Sequence, residues 1–89
     1  MRRIEGFIWA DWVVGKLDWK HNVAPDEVEE TFFNPPHKVR RTKRDKYLLY
    51  GRSDDGRYLF VVFAWKGKRI KVISARDMTL TERRYFNRK

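Results

Sequence analysis

The sequence predicts an α+β fold: a short N-terminal strand, two helices, a three-stranded antiparallel meander and a C-terminal helix. Three observations carry that expectation. Residues 57–65 form a β-branched and aromatic run with no polar alternation between Tyr58 and Trp65, the pattern of a strand covered on both faces. Turn signals flank it, Ser53-Asp54-Asp55-Gly56 before and Lys66-Gly67-Lys68 after, and join it to residues 46–52 and 69–76 as successive hairpin arms. Upstream, residues 11–34 carry helix spacing and helix-end residues instead of strand alternation. A chain of 89 residues holds one domain, residues 1–89, with a modest core.

The elements follow in order. Residues 4–9 read as a first strand, weakened by Gly6. Asp11 is placed as the N-cap of a helix running to about Lys20, with Trp12, Val13 and Leu17 near one face and Lys16 and Lys20 on another. Pro25 suits the first turn of a second helix, Asp26, Glu27, Glu29 and Glu30 favour its positive N-terminal end, and Val28 with Phe32 supplies a buried stripe. Asn34-Pro35-Pro36 ends that helix. Residues 37–46 hold six lysines and arginines and one aspartate, and read either as a solvated loop or charge-guarded edge strand, or as a phosphate-contacting arm. Thr79-Leu80-Thr81-Glu82 matches the capping box and starts a terminal helix through Tyr85 and Phe86. With two helices on one side of the sheet, the opposite side is closed by the terminal helix or left as a concave basic surface.

Charge is the dominant compositional feature. Lysine and arginine number 21 against 12 aspartates and glutamates, a net charge of +9 with a pI near 10.2. From Asp11 to Asn34 the acids outnumber the bases six to two, so the positive charge collects in the later part and at the extreme N-terminus. Such a surplus, unevenly placed, suits a polyanion. The absence of cysteine excludes disulfides and a thiolate nucleophile. No run of about 18 apolar residues occurs, and the start lacks a signal-peptide core, so a cytoplasmic protein is expected.

Several chemistries are excluded by pattern. There is no phosphate-binding glycine loop of the P-loop type and no HExxH, and His21 and His37 stand sixteen positions apart with no carboxylate motif at metal spacing, so no metal or cofactor is expected. Gly51-Arg52-Ser53-Asp54-Asp55 lacks the second glycine of a nucleophile elbow. Metal-independent RNA cleavage remains, because the 2′-hydroxyl attacks its own phosphate. The protein then needs only to orient it, move a proton and stabilise charge on phosphorus. Arg52, Arg76, Arg69, Lys71 and the Lys20-His21 pair are the candidates to converge on one phosphate, with His21 as base or acid. Each has a plainer alternative: His21 as a helix-end cation, Arg76 paired with Asp77 or Glu82, Tyr85 in the core, Glu82 as a cap residue. Trp9, Trp12, Trp19 and Trp65 are candidates for base stacking, at least two of them being core.

Lys20-His21-Asn22-Val23 followed by Pro25-Asp26-Glu27-Val28-Glu29-Glu30, then Gly51-Arg52-Ser53-Asp54-Asp55-Gly56-Arg57, then residues 69–79, and finally Glu82-Arg83-Arg84-Tyr85, resemble the BrnT family of toxin–antitoxin toxins over residues 9–85. That resemblance implies a RelE-like fold, ribonuclease activity on RNA, and a cognate antitoxin as partner, with the protein acting as a dimer or a hetero-oligomer with it. It places His21, Arg52, Arg76 and Tyr85 as catalytic candidates, with Arg83 beside them. Lys20, Arg40, Arg41, Lys43, Arg44, Arg69 and Lys71 complete the expected RNA contacts. Two other readings fit the same residues: a nucleic-acid binder that does not cut, and a module docking an acidic segment of a partner.

Overall fold

A computed structural model describes residues 3–88; Met1 and Arg2, part of the expected basic N-terminus, lie outside it. Among those residues, five strands form one mixed sheet in the spatial order β1-β5-β4-β3-β2. They are β1 Gly6–Ile8, β2 Lys38–Arg41, β3 Tyr47–Arg52, β4 Tyr58–Lys66 and β5 Arg69–Asp77; the helices are α1 Asp11–Lys16, α2 Pro25–Thr31 and α3 Leu80–Asn87. β1 runs parallel to β5, and the other neighbours are antiparallel. The α+β class holds, with one correction: the meander has four strands, not three. After the Pro35-Pro36 turn, Lys38 to Arg41 pair in register with Tyr50 to Tyr47. Lys38, Arg40 and Arg41 guard this short sheet edge against pairing with another chain, so the charged edge strand is what the basic stretch forms at its start.

The first helix differs from expectation in three ways. Ala10 occupies the N-cap, and Asp11 sits one place later in the first turn, where its charge still complements the amide ends. The helix is α-helical only to Lys16 and then widens into a π-helical turn, Leu17–His21, that stops at Asn22 with φ 51°. Asparagine tolerates that left-handed conformation better than most residues. Trp12 is 66% exposed while Val13 and Leu17 are buried, because one residue along a helix turns the side chain by about 100°.

α1 and α2 cover one face of the sheet. Val13, Leu17, Val28 and Phe32 pack on Leu49, Leu59, Val61, Phe63, Ile70 and Val72, and the Phe32 ring meets Phe63 edge-on at 5.0 Å. Gly51 lets α2 approach β3, since a Cβ there would stand 3.2 Å from the Thr31 Cβ and carbonyl oxygen. β4 is not covered equally on both sides. Leu59, Val61 and Phe63 are buried beneath the helices, whereas Tyr58, Phe60, Val62 and Ala64 on the second face are half-buried. The cause is the length of α3, which covers only one end of that face through Phe86 and Tyr85, against Tyr50, Tyr58, Phe60 and Met78. Pairing steps from Val62–Ser74 to Phe63–Val72, so Ile73 is the extra residue of a β-bulge.

Two devices close the ends. The capping box at Thr79 forms as expected: the Thr79 hydroxyl accepts from the Glu82 amide at 3.2 Å, and the Glu82 carboxylate accepts from the Thr79 amide at 2.8 Å. Arg57, whose role the sequence did not disclose, ties three elements together. Its guanidinium donates to both carboxylate oxygens of Asp77 at 2.7 and 3.1 Å, to Glu27 at 3.1 Å, and to the carbonyls of Asn22 and His21 at 2.8 and 3.0 Å. The end of β5, the start of α2 and the end of the π-helical turn are thus held by one side chain.

Candidate nucleic-acid interface and active site

Strand alternation builds the second face. It directs Lys38, Tyr50, Phe60 and Arg76, four neighbours in one cross-strand row, to the side that α3 crosses, and places Arg52 beside Tyr58 in the next row. Tyr50 meets Phe60 at 5.2 Å and Tyr85 at 4.8 Å, both edge-on. Cations then stack on the rings. Arg52 and Arg83 lie 4.7 and 4.5 Å from the Tyr58 centroid, Arg76 lies 4.5 Å from Phe60, and Lys38 and Arg40 lie 4.5 and 5.6 Å from Tyr85. Three rings at one end of this face therefore carry five cations, each interaction adding roughly 0.5–1 kcal/mol where exposed and more where desolvated.

The bonding of these cations differs. Arg76 donates to the two Glu82 carboxylate oxygens at 2.7 and 2.9 Å and to the Asp77 carbonyl at 3.1 Å. That pairing raises the Arg76 guanidinium above its usual value and holds the Glu82 carboxyl below the usual carboxylate range. Glu82 thus caps α3 and grips Arg76 at once. Arg52 donates to the Gly56 carbonyl at 3.2 Å and borders a pocket with Asn34, Pro35, Pro36 and Asp54. Lys38 donates to the Tyr85 carbonyl at 2.5 Å and the Arg88 carbonyl at 2.7 Å, a cation at the negative end of α3.

Of the residues singled out by sequence, the fold brings together Arg52, Arg76, Tyr85, Arg83 and Arg40. Lys71 faces the same side further along β5, in the row of Ala64. Arg69 does not join them: it stands seven residues from Arg76 along β5, about 23 Å at about 3.3 Å per residue. Convergence of every candidate on one phosphate is therefore corrected. Arg41 bonds Asp45 at 3.1 Å, and Lys43 and Arg44 stand exposed in the short 3₁₀ turn Lys43–Asp45 that follows β2. Lys20 and His21 end the π-helical turn on the helical side of the sheet, with the Lys20 ammonium 5.8 Å from the Trp19 ring. Trp9 and Trp65 pack against the core and Trp12 and Trp19 are exposed, in keeping with the expectation of at least two core tryptophans.

Sequence reasoning missed Lys38 and the Tyr50–Phe60 row. Their signal was available only through register: once Lys38 opposes Tyr50, the alternation of β2 and β3 puts both on the α3 side. His37 is held below its usual value by burial, and its Nδ1 lacks a hydrogen-bond partner. Among the described residues no group of three histidines or carboxylates could hold a metal ion, and no helix is long and apolar enough to cross a membrane.

The sequence model of the ribonuclease toxin BrnT of type II toxin–antitoxin systems matches residues 17–82. The chain belongs to the BrnT family. Among solved structures, the fold aligns with the 1.1 Å crystal structure of the Brucella abortus ribonuclease toxin BrnT at a TM-score of 0.70 and 23% identity, covering 83% of this chain and 96% of that one. None of the curated proteins matches the sequence. The matched range takes in Arg52, Arg57, Phe60 and Arg76 and ends at Glu82, before Arg83 and Tyr85. As a family of type II toxins, it implies an antitoxin protein as partner and RNA as substrate.

Proposed function

We propose that this BrnT chain is a metal-independent endoribonuclease toxin whose RNA lies on the face bearing Arg52, Phe60, Arg76 and Tyr85. The observation that supports it most directly is the set of five cations stacked on three rings, which offers phosphate charge and, in the arginines, guanidinium planes against which bases can stack. In this reading the RNA 2′-oxygen bonds to the adjacent phosphorus as the bond from phosphorus to the 5′-oxygen breaks. The products are a 2′,3′-cyclic phosphate and a free 5′-hydroxyl. Arg52 and Arg76 stabilise the charge that builds on the non-bridging oxygens. Tyr85, whose hydroxyl both accepts and donates, is the candidate on this face to move a proton between the 2′-hydroxyl and the departing 5′-oxygen. Arg40 and Arg83 flank the phosphate chain. His21, whose charge reaches Asp77 beside Arg76 at the end of β5, is the candidate base or acid from the helical side of the sheet, with Lys20 next to it.

Residues 1–89 act as one RelE-like domain in the cytoplasm, silenced in a hetero-oligomer with the antitoxin. A second reading, a binder that does not cut, is favoured by one observation: the Arg76 fork is already occupied by Glu82. The two separate on an RNA oligonucleotide carrying one 2′-deoxy nucleotide at an identified cleavage position. Loss of cleavage at that position alone, with cyclic-phosphate ends elsewhere, supports 2′-hydroxyl attack. Cutting that ignores the 2′-deoxy nucleotide overturns the mechanism, and an all-RNA oligonucleotide that is bound but cut at no position favours the binder.

A further inference from the structure

The half of the second face that α3 leaves open holds a feature that the reacting residues do not use. A groove of about 410 Å³ lies there, floored by Ala64 and Ile73 and rimmed by Arg44, Lys46, Lys66 and Lys71. Lys66 and Lys71 stand on neighbouring strands, in the rows Lys66–Arg69 and Ala64–Lys71, so their positions are fixed by the sheet. The Ile73 bulge sits at the groove wall, where extra twist turns this end of the sheet. Asp45 also borders the groove, but its carboxylate is engaged by Arg41.

We infer that this groove is a second phosphate-binding subsite that holds the RNA strand several nucleotides away from the cleaved bond. The inference rests on the ribonuclease reading above and names the form of its substrate. Lys71 lies five residues from Arg76 along β5, about 16 Å at about 3.3 Å per residue. A single strand stacked at about 3.4 Å per nucleotide covers that distance with about five nucleotides. The substrate is therefore an unpaired segment of at least that length, gripped at both ends of the sheet face. A duplex is not the ligand, because its paired bases cannot stack on the half-buried rings and guanidinium planes at the α3 end. The groove is rimmed by lysine and arginine cations that suit phosphate oxygens, so its contribution is to affinity and strand position.

The test is fluorescence anisotropy with an uncleavable 2′-O-methyl octanucleotide, comparing the wild type with Lys66→Ala/Lys71→Ala at 50 and 200 mM salt. Each single-strand phosphate that a lysine neutralises adds about 0.7 to the logarithmic salt slope, so deleting both lysines changes the affinity ratio over that fourfold range by about sevenfold. The expected result is that the wild type weakens about seven times more than the variant, while a 2′-O-methyl dinucleotide does not distinguish the two proteins. Equal salt slopes on the octanucleotide would overturn the subsite and leave the ribonuclease reading intact. Wild type that binds neither probe would overturn both. A poly-glutamate peptide bound by the wild type and released by the variant, with octanucleotide binding unchanged, would overturn the subsite in favour of an acidic protein segment.

Discussion

Replacing Arg57 by methionine is the most informative single change to the scaffold, because it keeps the apolar stem and deletes every donor of the clamp. The wild-type guanidinium is three-quarters covered, with 25% of the side chain exposed; Glu27 is equally covered and Asp77 is 57% exposed. Exposed ion pairs contribute about 0–1 kcal/mol, whereas breaking a buried pair costs about 3–5 kcal/mol. This pair lies between those limits, and the carbonyls of His21 and Asn22 are deprived of their donor as well, so a loss of about 2–3 kcal/mol is expected. For a domain of this size that corresponds to a fall in Tm of about 8–24 °C. Urea denaturation checks it, with the midpoint moving and the slope unchanged. Arg57→Lys keeps the charge but not the fork, and is expected to recover about half of the loss. A loss below about 1 kcal/mol in Arg57→Met would refute the view that one side chain holds β5, α2 and the π-helical turn together.

The Gly56 turn and the titrating groups give further expectations. Gly56 has φ 86°, and a Cβ there would stand 2.7 Å from the Arg52 guanidinium. Gly56→Ala is therefore expected to cost about 1–2 kcal/mol in denaturation and to swing Arg52 off Tyr58, lowering RNA cleavage. The pH profile is expected to fall in two steps. Burial depresses His37 below 6.5, so the unfolded chain binds the proton more readily, and stability is complete above that value and declines as pH falls toward the folded one. Hydrogen bonding from Arg57 and Arg76 depresses Asp77 below 3.8 and Glu82 below 4.5, so their contribution persists above those values and disappears as acid protonates them in the fold. Thermal melts from pH 8 to pH 3 should show both steps, and His37→Asn should remove only the upper one.

How much of this was legible depended on whether local sequence or long-range register decided the outcome. The capping box at Thr79, the turn at Gly56 and the stop at Pro35-Pro36 were readable because each is a short-range rule. The strand at Lys38 was ambiguous because its residues carry no apolar alternation; pairing with β3 makes it a strand. The π-helical turn was hidden because the carbonyls at its end are bound by Arg57, a donor 36 residues from His21 that local sequence does not reveal. At the site, the type of residue was readable and its company was not. Arginines in the motifs around Arg52 and Arg76 stood out in the sequence. Their aromatic partners emerge only when side chains alternate along paired strands, whereas the separation of Arg69 from Arg76 follows from the length of one strand.

The most direct test of the central claim is incubation of purified wild type and Arg52→Ala with total RNA in EDTA, both first shown by circular dichroism to be folded. Arg52 is exposed, and its guanidinium hydrogen-bonds the Gly56 carbonyl at a turn, so its removal should leave the fold intact. The expected result is cleavage by the wild type without metal and a reduction of about 10²-fold or more in Arg52→Ala, the scale of removing one electrostatic donor from a transition state. Equal cleavage by both proteins would contradict the placement of the active site on this face, and intact RNA with a folded wild type would contradict metal-independent cleavage.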